Sequence, residues 1–86
     1  MNNRPITECV VICMKDGRWW THWSLQAEIK RHTSRFYSTD SISAAIRNLR
    51  KPRHQARYGL PSGDIVRRRP RQEGPGNEYR LVLKEN

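Results

Sequence analysis

Residues 38–52, STDSISAAIRNLRKP, carry the clearest helical pattern in the chain. Apolar residues recur there at the three- and four-residue spacing of one helix face, namely Ile42, Ala45, Ile46 and Leu49. Ser38, Thr39 or Asp40 can cap the beginning of this helix, and Pro52 disfavours a helical conformation at the residue before it. The stretch therefore predicts a helix over about 39–51 with one buried face.

The opposite face of this helix is small and polar, and it consists of Ser41, Ser43, Ala44, Arg47, Asn48 and Lys51. A solvated helix face usually carries long Lys and Glu side chains. Small polar side chains instead allow a helix to approach a groove of duplex DNA closely and to form hydrogen bonds there. A polar surface without any partner is the alternative interpretation.

Basic charge is concentrated immediately after this helix. Between positions 47 and 71 the chain has nine basic residues against one acid, Asp64, which makes +8 of the +9 net charge of the protein. The nine are Arg47, Arg50, Lys51, Arg53, Arg57, Arg67, Arg68, Arg69 and Arg71. Such a surface repels itself unless a polyanion is near, and the planar fork of arginine suits phosphate oxygens. A solvated basic loop is the alternative.

Two further helices are predicted upstream. The first covers about 5–15, with Pro5 in its first turn and Gly17 after its end; its buried stripe is Ile6, Cys9, Val10, Cys13 and Met14. The β-branched residues at positions 11 and 12 make a strand the competing interpretation. The second covers about 24–32, is capped by Thr21 or Ser24, and buries Leu25, Ile29 and His32.

An aromatic segment joins these two helices and contains Trp19, Trp20 and Trp23. It is predicted to be a loop or a strand of two or three residues. Large aromatic rings usually fill a small core, so we expect at least two of the three to be buried, with Trp19 or Trp20 the more exposed. Stacking on nucleic-acid bases is the alternative.

The C-terminal third of the chain predicts a β-hairpin. Residues 53–63 are basic and rich in turn formers, and residues 65–69 follow as a strand. The sequence GPGN at 74–77 marks a turn within a loop over 70–77. Residues 78–84 then alternate in polarity, with Tyr79, Leu81 and Leu83 on the apolar side. The hairpin therefore spans about 64–84.

Composition and motifs exclude several classes of protein. A chain of 86 residues suits a single domain, and no apolar run approaches the length of a membrane span. The N-terminus lacks the pattern of a secretory signal, and Cys9 and Cys13 suit buried thiols of a cytoplasmic protein better than a disulfide or a zinc site. No catalytic constellation is visible, so we expect neither an enzyme nor a cofactor.

The order helix, aromatic segment, helix, turn, helix and hairpin resembles the winged helix-turn-helix domain. Residues 38–51 are similar to recognition helices of winged-helix DNA-binding proteins, and residues 65–69 with 78–81 resemble their wings. The chain also resembles small helix-turn-helix proteins of bacteriophages and prophages. The resemblance implies an α+β fold: a single three-helix winged helix-turn-helix domain over 1–86 with a C-terminal two-stranded β-hairpin wing. The long turn at 33–38 and the basic loop at 53–63 depart from it.

The resemblance also implies roles for individual residues. Thr39, Ser41 and Ser43 would bond phosphates or base edges within the small face that includes Ala44, and Arg47 would contact guanine. Asn48 would reach adenine or face solvent. The wing arginines Arg67, Arg68, Arg69 and Arg71 would lie along the backbone or in the minor groove. Arg50, Lys51, Arg53 and Arg57 would contact phosphates. Strand alternation allows only some of Arg67, Arg68 and Arg69 to point the same way.

These roles imply binding of double-stranded DNA by a small transcriptional regulator or a phage accessory factor. We expect a cytoplasmic protein that is associated with the nucleoid when bound to DNA and that has no membrane partner. A homodimer on DNA is plausible, because so small a reader usually needs two copies for sequence-specific binding. RNA binding and a protein-interaction adaptor are the alternatives.

Overall fold

Residues 5–83 form four helices and a two-stranded antiparallel sheet. The structure is a computed structural model that describes residues 5–83, so residues 1–4 and 84–86 lie outside it. The elements in order are α1 (Ile6–Met14), α2 (His22–Thr33), α3 (Thr39–Asn48), α4 (Pro52–Arg57), β1 (Val66–Pro70) and β2 (Asn77–Leu81). Helices α1, α2 and α3 pack together and the hairpin follows them. The predicted α+β class is therefore confirmed, and the shape is winged-helix-like.

Helix α1 contacts both α2 and α3, which also contact each other. Cys9, Val10 and Met14 are buried as predicted, while Ile6 and Cys13 are partly buried. Val11, outside the predicted stripe, is also buried. A helix that packs against two others buries a wider surface than a single stripe, which explains the position of Val11. The competing strand interpretation is wrong.

Helix α2 begins two residues earlier than predicted because Thr21 caps it. Its hydroxyl accepts the backbone N–H of Ser24 at 2.9 Å, and the Ser24 hydroxyl accepts the backbone N–H of Thr21 at 2.9 Å. This reciprocal capping box satisfies two N–H groups that the helix leaves unpaired. Leu25 and Ile29 are buried as predicted. The prediction for His32 is wrong, since its ring is exposed and bonds the Glu28 carboxylate of the preceding turn at 2.7 Å.

Helix α3 has the predicted buried face. Ile42, Ala45 and Ile46 are buried within it and Leu49 is buried at its end, while the Ser38 hydroxyl caps its beginning by accepting the Ser41 N–H at 3.2 Å. The helix ends at Asn48, three residues before the predicted end. Lys51 is extended, as the proline after it requires, with ψ 131°.

The prediction of a loop over 53–63 needs correction, because Pro52 begins a six-residue helix, α4. Proline is favoured at the first position of a helix, where its missing N–H is not needed. The buried Gln55 amide holds this helix in place. Its Nε2 donates to the carbonyls of Leu49 and Gly63 at 2.9 and 2.8 Å, and its Oε1 accepts the Gly63 N–H at 3.2 Å. The end of α3 is thereby fixed to the chain entering the hairpin.

The hairpin pairs Val66 with Leu81 at its base and Pro70 with Asn77 near its tip. Strand β2 ends at Leu81, before the predicted end at position 84, while β1 keeps its predicted length and is shifted by one residue. Lys84 of the predicted wing lies outside the described residues. A further backbone bridge joins Trp20 to Tyr79 through two reciprocal N–H···O bonds of 2.7 Å. The aromatic segment thus adds a short strand-like pairing to β2, in agreement with the short strand considered for it.

Of the three tryptophans, one is buried in the core, whereas the sequence predicted at least two. Trp20 is buried, Trp19 is partly exposed and Trp23 is 51% exposed. The expectation that at least two would be buried is wrong, and so is the expectation that Trp19 or Trp20 would be the most exposed. The reason is that Trp19 and Trp23 lie against arginine side chains of the hairpin and its loop.

Cys9 and Cys13 are thiols that are not joined in a disulfide. Burial, with smaller contributions from nearby Glu28, Cys9 and Asp16, raises the pKa of the Cys13 thiol to about 11. Within residues 5–83, no group of three or more His, Cys, Asp or Glu side chains is arranged to hold a metal ion. None of the helices in the same range is long and apolar enough to cross a membrane.

We expect Gln55→Ala to lower the free energy of unfolding by about 2 kcal/mol, because it removes three hydrogen bonds and leaves the carbonyl of the buried Leu49 without the Gln55 donor. Denaturant unfolding measures the change. Gln72→Ala, the same substitution at an exposed loop position, should change it by less than about 0.5 kcal/mol. Equal effects of the two substitutions would show that the Gln55 amide does not stabilise the fold.

Candidate nucleic-acid interface

One stripe of α3 faces the hairpin. Ser43, Arg47 and Arg50 are spaced at i, i+4 and i+7, which places them on one side of the helix axis. Arg47 Nη1 donates a hydrogen bond to the Ser43 hydroxyl at 3.2 Å. Both arginines are exposed, and Arg50 lies just past the end of the helix. The stripe therefore presents two guanidinium groups and one hydroxyl toward β1.

The hairpin contributes one arginine to the same place. Arg68 is paired in register with Tyr79 and lies on the strand face that buries Val66, two residues before it. Arg67 and Arg69 project from the other face because successive strand residues alternate. The sequence left open which of the three wing arginines point together, and in the structure Arg68 is the one that lines the space beside α3.

Helix α3, the hairpin and the first residue of α2 enclose a cleft of about 170 Å³. The residues that line it are His22, Ser43, Ile46, Arg47, Arg50, Arg68 and Tyr79. No carboxylate is among these lining residues, whereas three arginines are. The cleft is therefore strongly cationic and open to an anion.

His22 and Tyr79 form one wall of the cleft. Their rings are stacked, with centroids 5.1 Å apart and planes inclined by 14°. Burial holds the pKa of the His22 imidazole below its ordinary value of 6.5, because a buried ring is harder to charge. The imidazole is therefore mainly neutral near pH 7 in the free protein.

The other wing arginines are held by contacts within the protein. Arg67 Nη1 donates to the Asp64 carbonyl at 2.7 Å and lies 3.3 Å from its carboxylate. Arg69 pairs with Glu78 at 2.8 Å and lies over the Trp19 ring at 4.1 Å.

The remaining arginines of this cluster also stack on tryptophan. Arg80, from β2, lies 5.5 Å from the Trp19 ring centroid, and Arg71 lies 5.6 Å from the Trp23 ring centroid. Cation–π contacts of this kind are favourable and orient both groups. Arg69 and Arg71 are thus engaged in positioning the hairpin, while Arg68 is not.

The predicted residues of α3 divide between different sides of the helix. Ser41 and Ala44 lie away from the stripe that faces the hairpin, and Thr39 is at the first turn. Ser41 bonds the Ser38 cap. Asn48 Nδ2 donates to the buried Thr7 hydroxyl of α1 at 3.4 Å. Its amide therefore contacts a neighbouring helix, which differs from both predicted environments, adenine and solvent.

The predicted phosphate contacts beyond α3 lie on or beside α4. Lys51, Arg53 and Arg57 are exposed there, with Arg57 5.9 Å from the ring centroid of Tyr58. None of them lines the cleft. They form a second basic surface that adjoins the end of α3.

Sequence reasoning missed His22 and Tyr79 as members of the site. Tyr79 was assigned only to the apolar side of a strand, and His22 had no recognisable partner. The missing signal is the pairing of Trp20 with Tyr79, which joins segments 59 positions apart in the chain. Reading residues 19–20 as a strand that pairs with 78–80 would have brought His22 to the hairpin.

Comparisons with known proteins do not extend this picture. The chain matches no protein-family model, no curated protein and no solved structure. The geometry of the site is therefore the basis for a functional proposal.

We expect Trp19→Leu to destabilise the hairpin by about 1–2 kcal/mol, because it removes the ring on which Arg69 and Arg80 stack. Amide hydrogen exchange should become faster in β1 and β2. Trp23→Leu is the comparison variant: Trp23 is half exposed and contacts Arg71 in the loop between the strands, so its loss should accelerate exchange in β1 and β2 less than the loss of Trp19. If both variants exchange at the wild-type rate, the tryptophan–arginine contacts do not hold the hairpin.

Proposed function

We propose that the protein binds double-stranded DNA, with α3 as the recognition helix and the β1–β2 hairpin as the wing. The observation that carries the proposal is the convergence of Arg47, Arg50 and Arg68 on one cleft that no carboxylate lines. Two of these guanidinium groups come from the α3 side and one from the hairpin, so an anion between the two elements meets positive charge from both.

Uncompensated charge supports a polyanionic partner. Arg50, Lys51, Arg53 and Arg68 make no ion pair with any carboxylate in the part of the chain that the structure describes, whereas Asp64 and Glu78 pair with Arg67 and Arg69. The acids of the hairpin thus neutralise the arginines that face away from α3. Phosphate groups would relieve the repulsion among the remaining cations and release counterions on binding.

The shape of α3 favours duplex DNA over duplex RNA. Ten residues make a helix about 15 Å long, and the major groove of B-DNA, about 12 Å wide, admits an α-helix. The corresponding groove of A-form RNA is too deep and narrow for side chains to read. Arg47, exposed on α3 and braced by Ser43, is the residue that we propose contacts guanine.

The biological role that we propose is that of a small transcriptional regulator or phage accessory factor. One helix of this length reads few base pairs, so sequence-specific binding would use two copies on adjacent half-sites. Selection from random duplexes at about 0.15 M salt tests both points. An enriched motif supports sequence-specific binding and its symmetry gives the number of copies. No retained duplex would count against the proposal.

A protein-interaction adaptor is the second candidate, and exposed apolar side chains favour it. Phe36 is 68% exposed, Trp23 51% and Ile12 48%. Salt separates the two candidates: phosphate binding weakens steeply as salt rises, whereas an apolar protein contact hardly changes.

We expect Arg68→Ala to weaken binding to selected and scrambled duplexes alike, by roughly tenfold, and to lower the salt slope of log K by about 1. Arg67→Ala removes the same charge from the adjacent position on the other strand face and should have a smaller effect. Fluorescence anisotropy across a salt series measures both. Equal losses of affinity in the two variants would show that the strand face on which an arginine lies does not decide whether it contacts DNA.

We expect Arg47→Ala to reduce the preference for the selected duplex over a scrambled one by about 1–3 kcal/mol, because a bidentate contact to guanine is lost. Arg53→Ala, on α4, should weaken binding to the selected and the scrambled duplex equally. Competition binding gives the two ratios. An unchanged preference in Arg47→Ala would exclude this arginine as a base reader.

A further inference from the structure

His22, one of the residues that line the cleft between α3 and the hairpin, carries a polar atom without a hydrogen-bond partner. Nε2 of His22 is buried and makes no hydrogen bond with any group in the described residues. Such a group is destabilising while it stays unpaired. The cleft that His22 lines has three arginines and no carboxylate, which suits a ligand that carries both negative charge and acceptor oxygens.

The size of the cleft limits that ligand. A volume of about 170 Å³ equals roughly six water molecules at ~30 Å³ each. Pockets for drug-sized molecules begin near 300 Å³. The cleft therefore suits a small anion such as a single phosphate group.

We propose that this cleft seats one phosphodiester group of the DNA backbone, gripped by Arg50 and Arg68, with Nε2 of His22 donating a hydrogen bond to one of its oxygens. The proposal rests on the proposed function and specifies which residues fix the register of the protein on the duplex. His22 Nε2 has less than 1 Å² of accessible surface in the free protein. The side chains at the mouth of the cleft must therefore separate slightly as the phosphate enters.

A bound phosphodiester changes the protonation of His22. Burial disfavours the imidazolium in the free protein, and a phosphodiester in contact with the ring favours it. The charged and titratable groups that line the cleft with His22 are Arg47 and Arg50 from α3 and Arg68 and Tyr79 from the hairpin. Binding therefore raises the pKa of His22 and takes up a proton. Affinity must then increase as pH falls through the interval between the free and bound pKa values.

The first measurement follows the His22 imidazole of the wild-type protein by NMR as pH is varied. We expect its pKa to rise by about one unit when a duplex is bound, which corresponds to tenfold coupling. Inorganic phosphate at matched ionic strength forms the second arm. A rise in the His22 pKa with inorganic phosphate but not with duplex would overturn the proposal in favour of a site for a free phosphate.

The second measurement compares the duplex affinity of wild type and His22→Phe between about pH 8 and about pH 5. Phenylalanine retains a ring to stack on Tyr79 but has no nitrogen. As the pH falls over this interval, we expect the duplex affinity to increase roughly tenfold in the wild type and less than about twofold in His22→Phe. The matched control is His32→Phe, the same substitution on the exposed side of α2, which should keep the wild-type pH dependence.

The arginines provide an independent comparison. Arg50→Ala should remove most of the duplex-induced rise in the His22 pKa, whereas Arg53→Ala, outside the cleft, should leave it unchanged. If the wild type binds duplex with no change at His22, and His22→Phe binds like wild type at each pH, the phosphate site is wrong and DNA binding stands. If the wild type binds no duplex, both proposals fail.

Discussion

The arrangement of this small protein depends on the backbone bridge between Trp20 and Tyr79. Two short N–H···O bonds attach β2 to the segment that precedes α2. A two-stranded hairpin is marginally stable by itself, so this third pairing and the burial of Val66 and Leu81 stabilise it. The bridge also fixes the face of the hairpin that is turned toward α3. The same contact places His22 against Tyr79. It also places Arg68 on the side of the hairpin that faces Arg50.

The arginines of the hairpin and its loop, together with Arg50 beside them, divide into two groups by what they touch. Arg67 and Arg69 neutralise nearby acids, and Arg69, Arg71 and Arg80 stack on tryptophans, so these side chains stabilise the hairpin. Arg50 and Arg68 have no acid beside them within residues 5–83 and line the cleft. A count of basic residues treats all of them alike. The environment of each one separates those that build the wing from those available to a phosphate.

The sequence was a good guide wherever the signal was local. The buried face of α3 and the caps at Ser38 and Thr21 depend on residues within a few positions of one another, and all are found in the structure. Long-range contacts were not predictable. Trp19 and Trp23 pack against arginines that lie about fifty positions away, and Asn48 bonds Thr7 at the other end of the chain. Helix α4 was not predicted from the sequence, because Pro52 was used only as the end of α3. Proline also favours the first position of a helix.

Two sets of hydrogen bonds fix the distance between α3 and the hairpin. Gln55 joins the end of α3 to Gly63, just before β1, and the Trp20–Tyr79 bridge holds the other strand. The opening between the two elements is therefore a rigid dimension of the protein. For the duplex that we propose as ligand, any difference between groove width and this opening must be absorbed by bending or narrowing of the DNA. Sequences that deform at low energetic cost would then be preferred even at base pairs that no side chain touches.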